Sequence, residues 1–409
     1  MRGSSRVQAP VPASYNESTG MRIVQTVFGV FHHFELAREL EQRGHLQTIY
    51  STWPWLRLRR EGLPRHLVQT FPAIHTLEML LNRSPLRNDW VADQLGYLNA
   101  LAFDAWTARQ LSNGPQPDAL IGISGSSLKT GLQLQRSGGV FICDRGSSHQ
   151  RLQEQILTDE YRRWGIRKAI SDPRDTAREE ELYAMADAIT VPSSFSAQSF
   201  AQMGVSMDKV HLIHYGVKLD KFRRTIPPPE VHERFEVIFA GQVSLRKGVP
   251  YLLEAFARVR HPNKRLRIMG WIEPELKGLL PRLPTESVEF LGSVSPDALA
   301  SIMGSSHALV LPSIEDGFGL VMGQAMACGC PVLASTNTGG SDLFTDGTEG
   351  FIVPIRDAPA IADRLQNLID TPNLQSRLSE AALARVQSLG GWKQYGDQWE
   401  TLLHQLTGK

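Results

Sequence analysis

A chain of 409 residues, 42% hydrophobic and 21% charged, holds enough apolar material for two packed cores, more than one core usually supports. A formal net charge of +1 excludes a basic nucleic-acid tail or an acidic disordered region as the dominant feature, and leaves local patches open. Three cysteines, Cys143, Cys328 and Cys330, form neither a metal-ligand cluster nor a disulfide framework, so they read as buried structural thiols in a reducing compartment.

The first twenty residues are polar and rich in Pro, Gly and Ser; they read as a disordered leader lacking the apolar stretch of a signal peptide. No run approaches the roughly 18 apolar residues of a membrane-spanning helix. Met21 to Phe28 is a β-rich run, and His33 to Arg43 reads as a helix with Leu36 and Leu40 on one face. Gly44 stops that helix before a strand at Leu46 to Tyr50. Strand, helix and strand in this order predict a parallel sheet covered by helices.

Trp53 to His66 mixes tryptophans with arginines and prolines and follows no clear period. Helices are predicted around Ile74 to Leu81 and Trp90 to Leu111, then strands at Ala119 to Ile123 and Val140 to Cys143. The second of these strands ends in the polar turn Asp144 to His149. A helix at Glu179 to Met185 precedes strands at Ala188 to Val191 and Val210 to His214. Arg223 to Glu233 carries three consecutive prolines, which suits a stiff, extended linker.

A second series follows, with strands at Glu236 to Ala240, Arg265 to Met269, Val288 to Leu291, Ala308 to Leu311, Pro331 to Ala334 and Gly350 to Val353. Helices are predicted at Val249 to Val259, Pro296 to Met303, Gly319 to Ala327 and Ala358 to Ile369, and Asn373 to Leu406 is mostly helical. The expected organisation is a first domain over 21–222, a linker over 223–235, a second domain over 236–388 and a terminal helix over 389–409.

The densest chemical signal lies between Leu309 and Val332. An apolar strand delivers Glu315 and Asp316 to a loop, and Gly317 and Gly319 allow close backbone approach to a ligand where a helix begins. Gln324 follows Asp316 by roughly two helical turns, so both can face one elongated ligand. A carboxylate accepts paired hydrogen bonds from sugar or ribose hydroxyls. The competing reading is a helix cap.

Gly339 and Gly340, in Thr336 to Ser341, open another helix; they fit a phosphate cradle or an ordinary turn. Arg246 and Lys247 follow the first strand of the second series, as diphosphate-neutralising cations or as an exposed pair. Three such segments on successive loops reinforce one another.

Ala240 to Gly248, Pro312 to Val332 and Gly339 to Pro354 together resemble the retaining GT-B glycosyltransferases of the family 4 type, and the similarity extends over Met21 to Leu403. Asp187, Pro192, Ser193 and His214 to Val217 also match. The resemblance implies an α/β GT-B fold, with two Rossmann-like domains facing across a cleft and a last helix returning to the first. Trp392, Tyr395 and Trp399 would pack that helix.

The resemblance places Asp316 on donor-sugar hydroxyls and Gln324, where the family has a glutamate, on the ribose. Of the family's arginine–lysine pair, Gln242 replaces the arginine and Lys247 is kept, with Arg246 as compensation. Gly317, Phe318, Gly319, Leu320, Gly339 and Gly340 would line the nucleotide sugar, and Asp342 falls on an acidic family position. Gly29 matches part of the glycine loop of the first domain, with Phe28 in place of the preceding glycine. Arg145 stands where many relatives have the histidine of a His-Gly pair; either Arg145 acts electrostatically or His149 reaches in from the following turn.

The implied reaction transfers a sugar from a UDP-, GDP- or ADP-sugar to a hydroxyl of a glycan, lipid-linked or small-molecule acceptor. Anomeric configuration is retained, and neither cofactor nor metal is required. An inverting GT-B enzyme, a nucleotide-sugar epimerase, a sugar phosphorylase and a catalytically decayed binding protein are the alternatives. Trp53, Trp55, Arg57, Arg59 and Arg60 are either a contact for an anionic membrane or acceptor, or a loop with its tryptophans packed inward. The expected location is cytoplasmic, with peripheral contact to the cytoplasmic membrane face as an extension, and no nucleic-acid partner.

Overall fold

The computed structural model describes residues 20–83 and 89–409. The leader expected over residues 1–20 lies outside the described residues apart from Gly20. Seven strands form the first sheet: β1 Ile23–Val27, β2 Leu46–Ser51, β3 Val68–Thr70, β4 Ala119–Ile123, β5 Val140–Asp144, β6 Ala188–Val191 and β7 Val210–Leu212. Six form the second: β8 Phe235–Ala240, β9 Lys264–Met269, β10 Val288–Gly292, β11 Ala308–Leu311, β12 Val332–Ser335 and β13 Gly350–Val353.

All strand pairs in both sheets are parallel. Helices cover both faces of the central strands, so every residue of β1, β8, β11 and β12 is buried, the polar Gln25, Thr26, Glu236 and Ser335 included. The orders are β3-β2-β1-β4-β5-β6-β7 and β10-β9-β8-β11-β12-β13. Each order reverses direction once, between β1 and β4 and between β8 and β11. Connections leave in opposite directions there, which opens a crevice at the carboxyl ends of the strands. The two crevices face one another.

Helix His33–Gln42 buries Phe34, Leu36, Ala37 and Leu40. The last helix, Trp392–Thr407, returns to pack on it, with Tyr395 and Trp399 buried. Arg43 fixes the crossing by pairing with Glu39, Asp397 and Glu400, and His45 Nε2 meets Glu400 Oε1 at 2.8 Å. The three cysteines are buried and free.

Trp53 and Trp55 pack partly onto the core, and the Arg57 guanidinium lies 3.3 Å from the Trp53 ring centroid. The inward tryptophans leave Leu56 exposed beside them. Among the described residues no helix is long and apolar enough to cross a membrane.

Candidate active site

The loop from β8 and the loop from β11 meet at the second crevice. Lys247 Nζ donates to Asp316 Oδ2 at 2.6 Å. Both line a cavity of about 910 Å³ between the sheets, with Phe318, Gly319, Leu320 and Gln324 on the same side. Helix Leu320–Ala327 begins at Gly319, whose φ of 83° is a left-handed conformation suited to glycine. A Cβ there would lie 2.6 Å from Leu311 Cδ2, so the space is closed to a side chain as well.

Arg246 turns away from its neighbour, and its Nε donates to Glu315 Oε2 at 2.8 Å. Glu315 is wholly buried and accepts from the first domain as well: Ser147 Oγ at 2.8 Å, Ser148 N at 3.2 Å, Ser148 Oγ at 2.8 Å and Gln153 Nε2 at 2.8 Å. Burial alone would raise the Glu315 carboxyl. Arg246 and these hydrogen bonds outweigh it and hold the group well below the usual carboxylate range. The Arg246–Glu315 pair is therefore a seam between the domains, while Lys247–Asp316 faces the cleft.

The glycines divide in a similar way. A Cβ on Gly317 would sit 2.1 Å from the Gly146 carbonyl oxygen, so Gly317 permits close approach of the opposite domain's backbone, not only of a ligand. The Gly317 carbonyl accepts from Ser193 and Ser196, and Asp342 from the Ser194 backbone N–H and hydroxyl. Gly339 N donates to the Phe318 carbonyl at 2.9 Å and Gly340 N to Thr338 Oγ1 at 3.1 Å, so both amides of the expected cradle have internal partners. Gln242 Nε2 donates to Glu273 Oε1 at 2.6 Å. Gly29 takes Thr52 Oγ1 on its N–H at 3.0 Å and Ser51 Oγ on its carbonyl at 2.9 Å, which shapes the turn after β1.

Arg145 lines the cavity, yet its guanidinium is committed to the Ser148 carbonyl, Ser124 Oγ, Glu179, Gln150 and Gln153. Against the lowering effect of burial, Tyr183, Glu179 and Glu315 keep it charged, with its pKa raised. His149 caps helix Gln150–Arg163, accepting from Arg151 N on Nδ1, and packs its ring on Tyr183 and Phe200. Burial pushes His149 down to about 4, which leaves it neutral. The two residues offered as substitutes for a family histidine are thus both engaged in packing the turn after β5.

A pair that the sequence reading passed over stands opposite Asp316. His32 and His33, on the turn after β1, line the same cavity. His32 Nε2 lies 2.6 Å from Asp144 Oδ2 and 3.3 Å from the Tyr215 hydroxyl, and its ring stacks on Tyr215. Asp144 is buried at the end of β5, with Oδ1 accepting from Thr190 Oγ1 at 2.9 Å. Burial pushes the Asp144 carboxyl up, but its interactions with His32 and His33 and the Thr190 hydrogen bond hold it below its ordinary value.

His33 is fully buried, and burial with His32 alongside pushes it down to about 3 despite Asp144. The signal for this pair was present in the sequence: two adjacent histidines stand close behind the first strand of a parallel sheet, where the switch point lies. Among the described residues, His32, His33 and Asp144 also bring three ligand-type atoms within 4.8 Å, as do His45, Glu400 and His404.

Comparison with known proteins agrees with this geometry. The family description Glycosyltransferase Family 4 matches residues 30–221, and Glycosyl transferases group 1 matches residues 222–385. A D-inositol 3-phosphate glycosyltransferase of Streptomyces scabiei is 34% identical over 204 residues, covering 45% of this chain and 46% of the relative. An alpha-D-kanosaminyltransferase of Streptomyces kanamyceticus is 29% identical over 167 residues, covering 40% and 43%. The chain thus spans about half the length of the curated relatives it matches.

Two solved structures share the fold over almost the whole chain. Anabaena Alr3699/HepE in complex with UDP superposes with a TM-score of 0.68 at 16% identity, covering 94% of this chain and 100% of that one. Sucrose-phosphate synthase from Thermosynechococcus elongatus gives 0.69 at 21%, covering 95% and 99%. With both halves matched and two Rossmann-like domains facing across a cleft, the chain belongs to the GT-B glycosyltransferases of the family 4 type.

Proposed function

We propose that the protein transfers a sugar from a nucleotide-sugar donor to an acceptor hydroxyl with retention of anomeric configuration. The observation that carries this reading is the Lys247–Asp316 pair facing a cavity of about 910 Å³, with Gln324 two turns along the same wall. Lys247 is the cation for the leaving phosphate, Asp316 binds sugar hydroxyls and Gln324 binds the ribose. Retention rests on family membership, with the leaving phosphate oxygen taking the acceptor proton.

Arg246, Arg145 and His149 act through position. Arg246 holds the seam at Glu315, while Arg145 and His149 fix the turn that carries Gly146. The names of the matched relatives support a hydroxyl-bearing small-molecule acceptor, bound by the first domain.

Binding of UDP, GDP, ADP and their glucose derivatives, read by thermal shift, tests donor recognition, because a ligand that binds only the folded state raises the melting temperature. The anomeric configuration of the product, read by NMR, tests retention. An inverted product would replace that part of the reading, and phosphate-dependent release of a sugar phosphate would favour a phosphorylase.

Contact with an anionic membrane is proposed for the segment after β2, where Leu56, Arg59 and Arg60 are exposed. Co-sedimentation with anionic but not neutral vesicles is the expected result, and equal recovery with both contradicts it.

A further inference from the structure

We infer that His32 is the residue that orients the acceptor at the reaction centre, through a hydrogen bond from a hydroxyl adjacent to the attacking one, and that Asp144 is its positioning residue; the inference rests on the transfer reading above.

The tautomer follows from the contacts. Asp144, held below its ordinary pKa, is a carboxylate and only accepts, so His32 Nε2 carries the hydrogen of the 2.6 Å bond. In the neutral ring the remaining lone pair is therefore on Nδ1. His32 occupies the cap position of helix His33–Gln42 but makes no side-chain cap hydrogen bond, so its Nδ1 is not spent on the helix. Its ring orientation is fixed on three sides: Asp144 beyond Nε2, Tyr215 stacked on the face at a centroid distance of 4.3 Å, and His33 tilted alongside, also at 4.3 Å. A hydrogen-bond acceptor held this firmly on a cavity wall is set up to orient a hydroxyl.

Its place in the fold points the same way. The turn after β1 lies at the switch point of the first sheet, and Asp316 and Lys247 lie on loops at the switch point of the second. A short path connects them. His32 Cε1 is 3.4 Å from the Cβ that Gly146 would carry, and the Gly146 carbonyl oxygen is 2.1 Å from the Cβ that Gly317, next to Asp316, would carry. His33 offers no competing hydrogen-bond acceptor to solvent, because it is fully buried.

In the step, the acceptor oxygen forms a bond to the anomeric carbon while the anomeric carbon–phosphate oxygen bond breaks. That electron pair leaves with the nucleoside diphosphate, whose phosphate oxygen takes the proton of the attacking hydroxyl. His32 Nδ1 accepts from an adjacent hydroxyl of the acceptor, or from the second hydrogen when water is the acceptor, and so fixes the attack angle.

Two substitutions separate this role from a structural one. His32→Gln can keep a donor at the Nε2 position for Asp144 but has no acceptor at the Nδ1 position. His32→Asn can place an oxygen near the Nδ1 position but does not reach Asp144. The experiment measures the dissociation constant of the best binder among UDP-, GDP- and ADP-glucose, then its turnover to water, glycerol, myo-inositol and methyl α-glucoside. The expected result for His32→Gln is donor binding within about twofold of wild type and turnover lower by about tenfold or more, the loss of one oriented hydrogen bond. His32→Asn is expected to lie between the two.

Turnover by His32→Gln within about twofold of wild type, or His32→Asn falling below His32→Gln, overturns the assignment while the transfer reading stands. A wild-type protein that binds none of the three donors, or consumes none of them, overturns the transfer reading itself and this assignment with it.

Discussion

Lys247 and Asp316 pair at 2.6 Å on the cleft wall, so in the proposed transfer a donor diphosphate competes with a carboxylate for the ammonium. The expected consequence is a split. Lys247→Ala removes a charge-assisted hydrogen bond worth about 1.5–3 kcal/mol, so nucleotide affinity should fall by about 10- to 100-fold in a calorimetric titration. Asp316→Asn frees the lysine, so it should preserve or tighten binding of the bare nucleotide diphosphate while lowering turnover of the sugar nucleotide. Equal losses of both ligands in Asp316→Asn would contradict its assignment to the sugar.

The neighbouring pair, one residue back on each loop, has a different job. Residue types and spacing made both pairs visible as candidates, but only side-chain direction separates Lys247 from Arg246 and Asp316 from Glu315. That direction depends on Ser147, Ser148 and Gln153, which lie more than 160 residues away from Glu315 in sequence. For the same reason Arg145 and His149 stand out through their place after β5, while His32, three residues past the turn glycine Gly29, does not.

At the level of elements, strong periodicity was readable and weak contrast was not. The ends of β4, β6, β11 and β13 agree with the sequence reading because apolar runs stop at turn residues or Pro there. Helix Gln150–Arg163 was missed because it buries only Leu157, Glu160 and Tyr161 among many polar residues. Helix Ser194–Gln202 hides in serines, which favour turns and caps by propensity; Ser193 does cap it, on Ser196 N. The strand expected to run to His214 ends at Leu212, where His214 turns its Nδ1 toward the Pro192 carbonyl at 3.1 Å.

The returning helix was the most legible element, since Trp392, Tyr395 and Trp399 repeat at helical spacing. Trp399 is fully buried, so Trp399→Ala should cost about 3–5 kcal/mol in urea denaturation. A loss below about 1 kcal/mol would mean that the helix does not dock in solution.

Across the whole molecule, buried carboxylates stitch the two domains together. Glu315 gathers three residues of the first domain, and Glu160 accepts from Tyr251 Oη at 3.0 Å and Arg356 Nε at 2.6 Å in the second. Removing one partner of such a buried network strands the others, so Glu315→Ala should destabilise by about 3–5 kcal/mol and loosen the cleft.

Acid should act in the same direction. The folded-state pKa of Glu315 is depressed, so its stabilisation is present above its ordinary value of 4.5 and is lost as pH falls below that. His33 at about 3, and His149 and His307 at about 4, are held neutral below their ordinary 6.5. The unfolded chain takes those protons first, so stability drops as pH falls from about 6.5 toward 4. Melting temperatures should fall steadily between pH 7 and 4, and His307→Gln should flatten the upper part of that slope.

The two βα series and the linker prolines made a two-lobed molecule legible in the sequence. How the lobes are stitched was not, because each stitch joins residues far apart in the chain. The most direct measurement of the central claim is titration of the wild-type protein and Lys247→Ala with UDP-, GDP- and ADP-glucose, followed to released nucleotide diphosphate. The wild-type protein is expected to bind and consume at least one of these donors, and Lys247→Ala to bind it about 10- to 100-fold more weakly. Binding and turnover unchanged in Lys247→Ala, or no donor recognised by the wild-type protein, would contradict the claim.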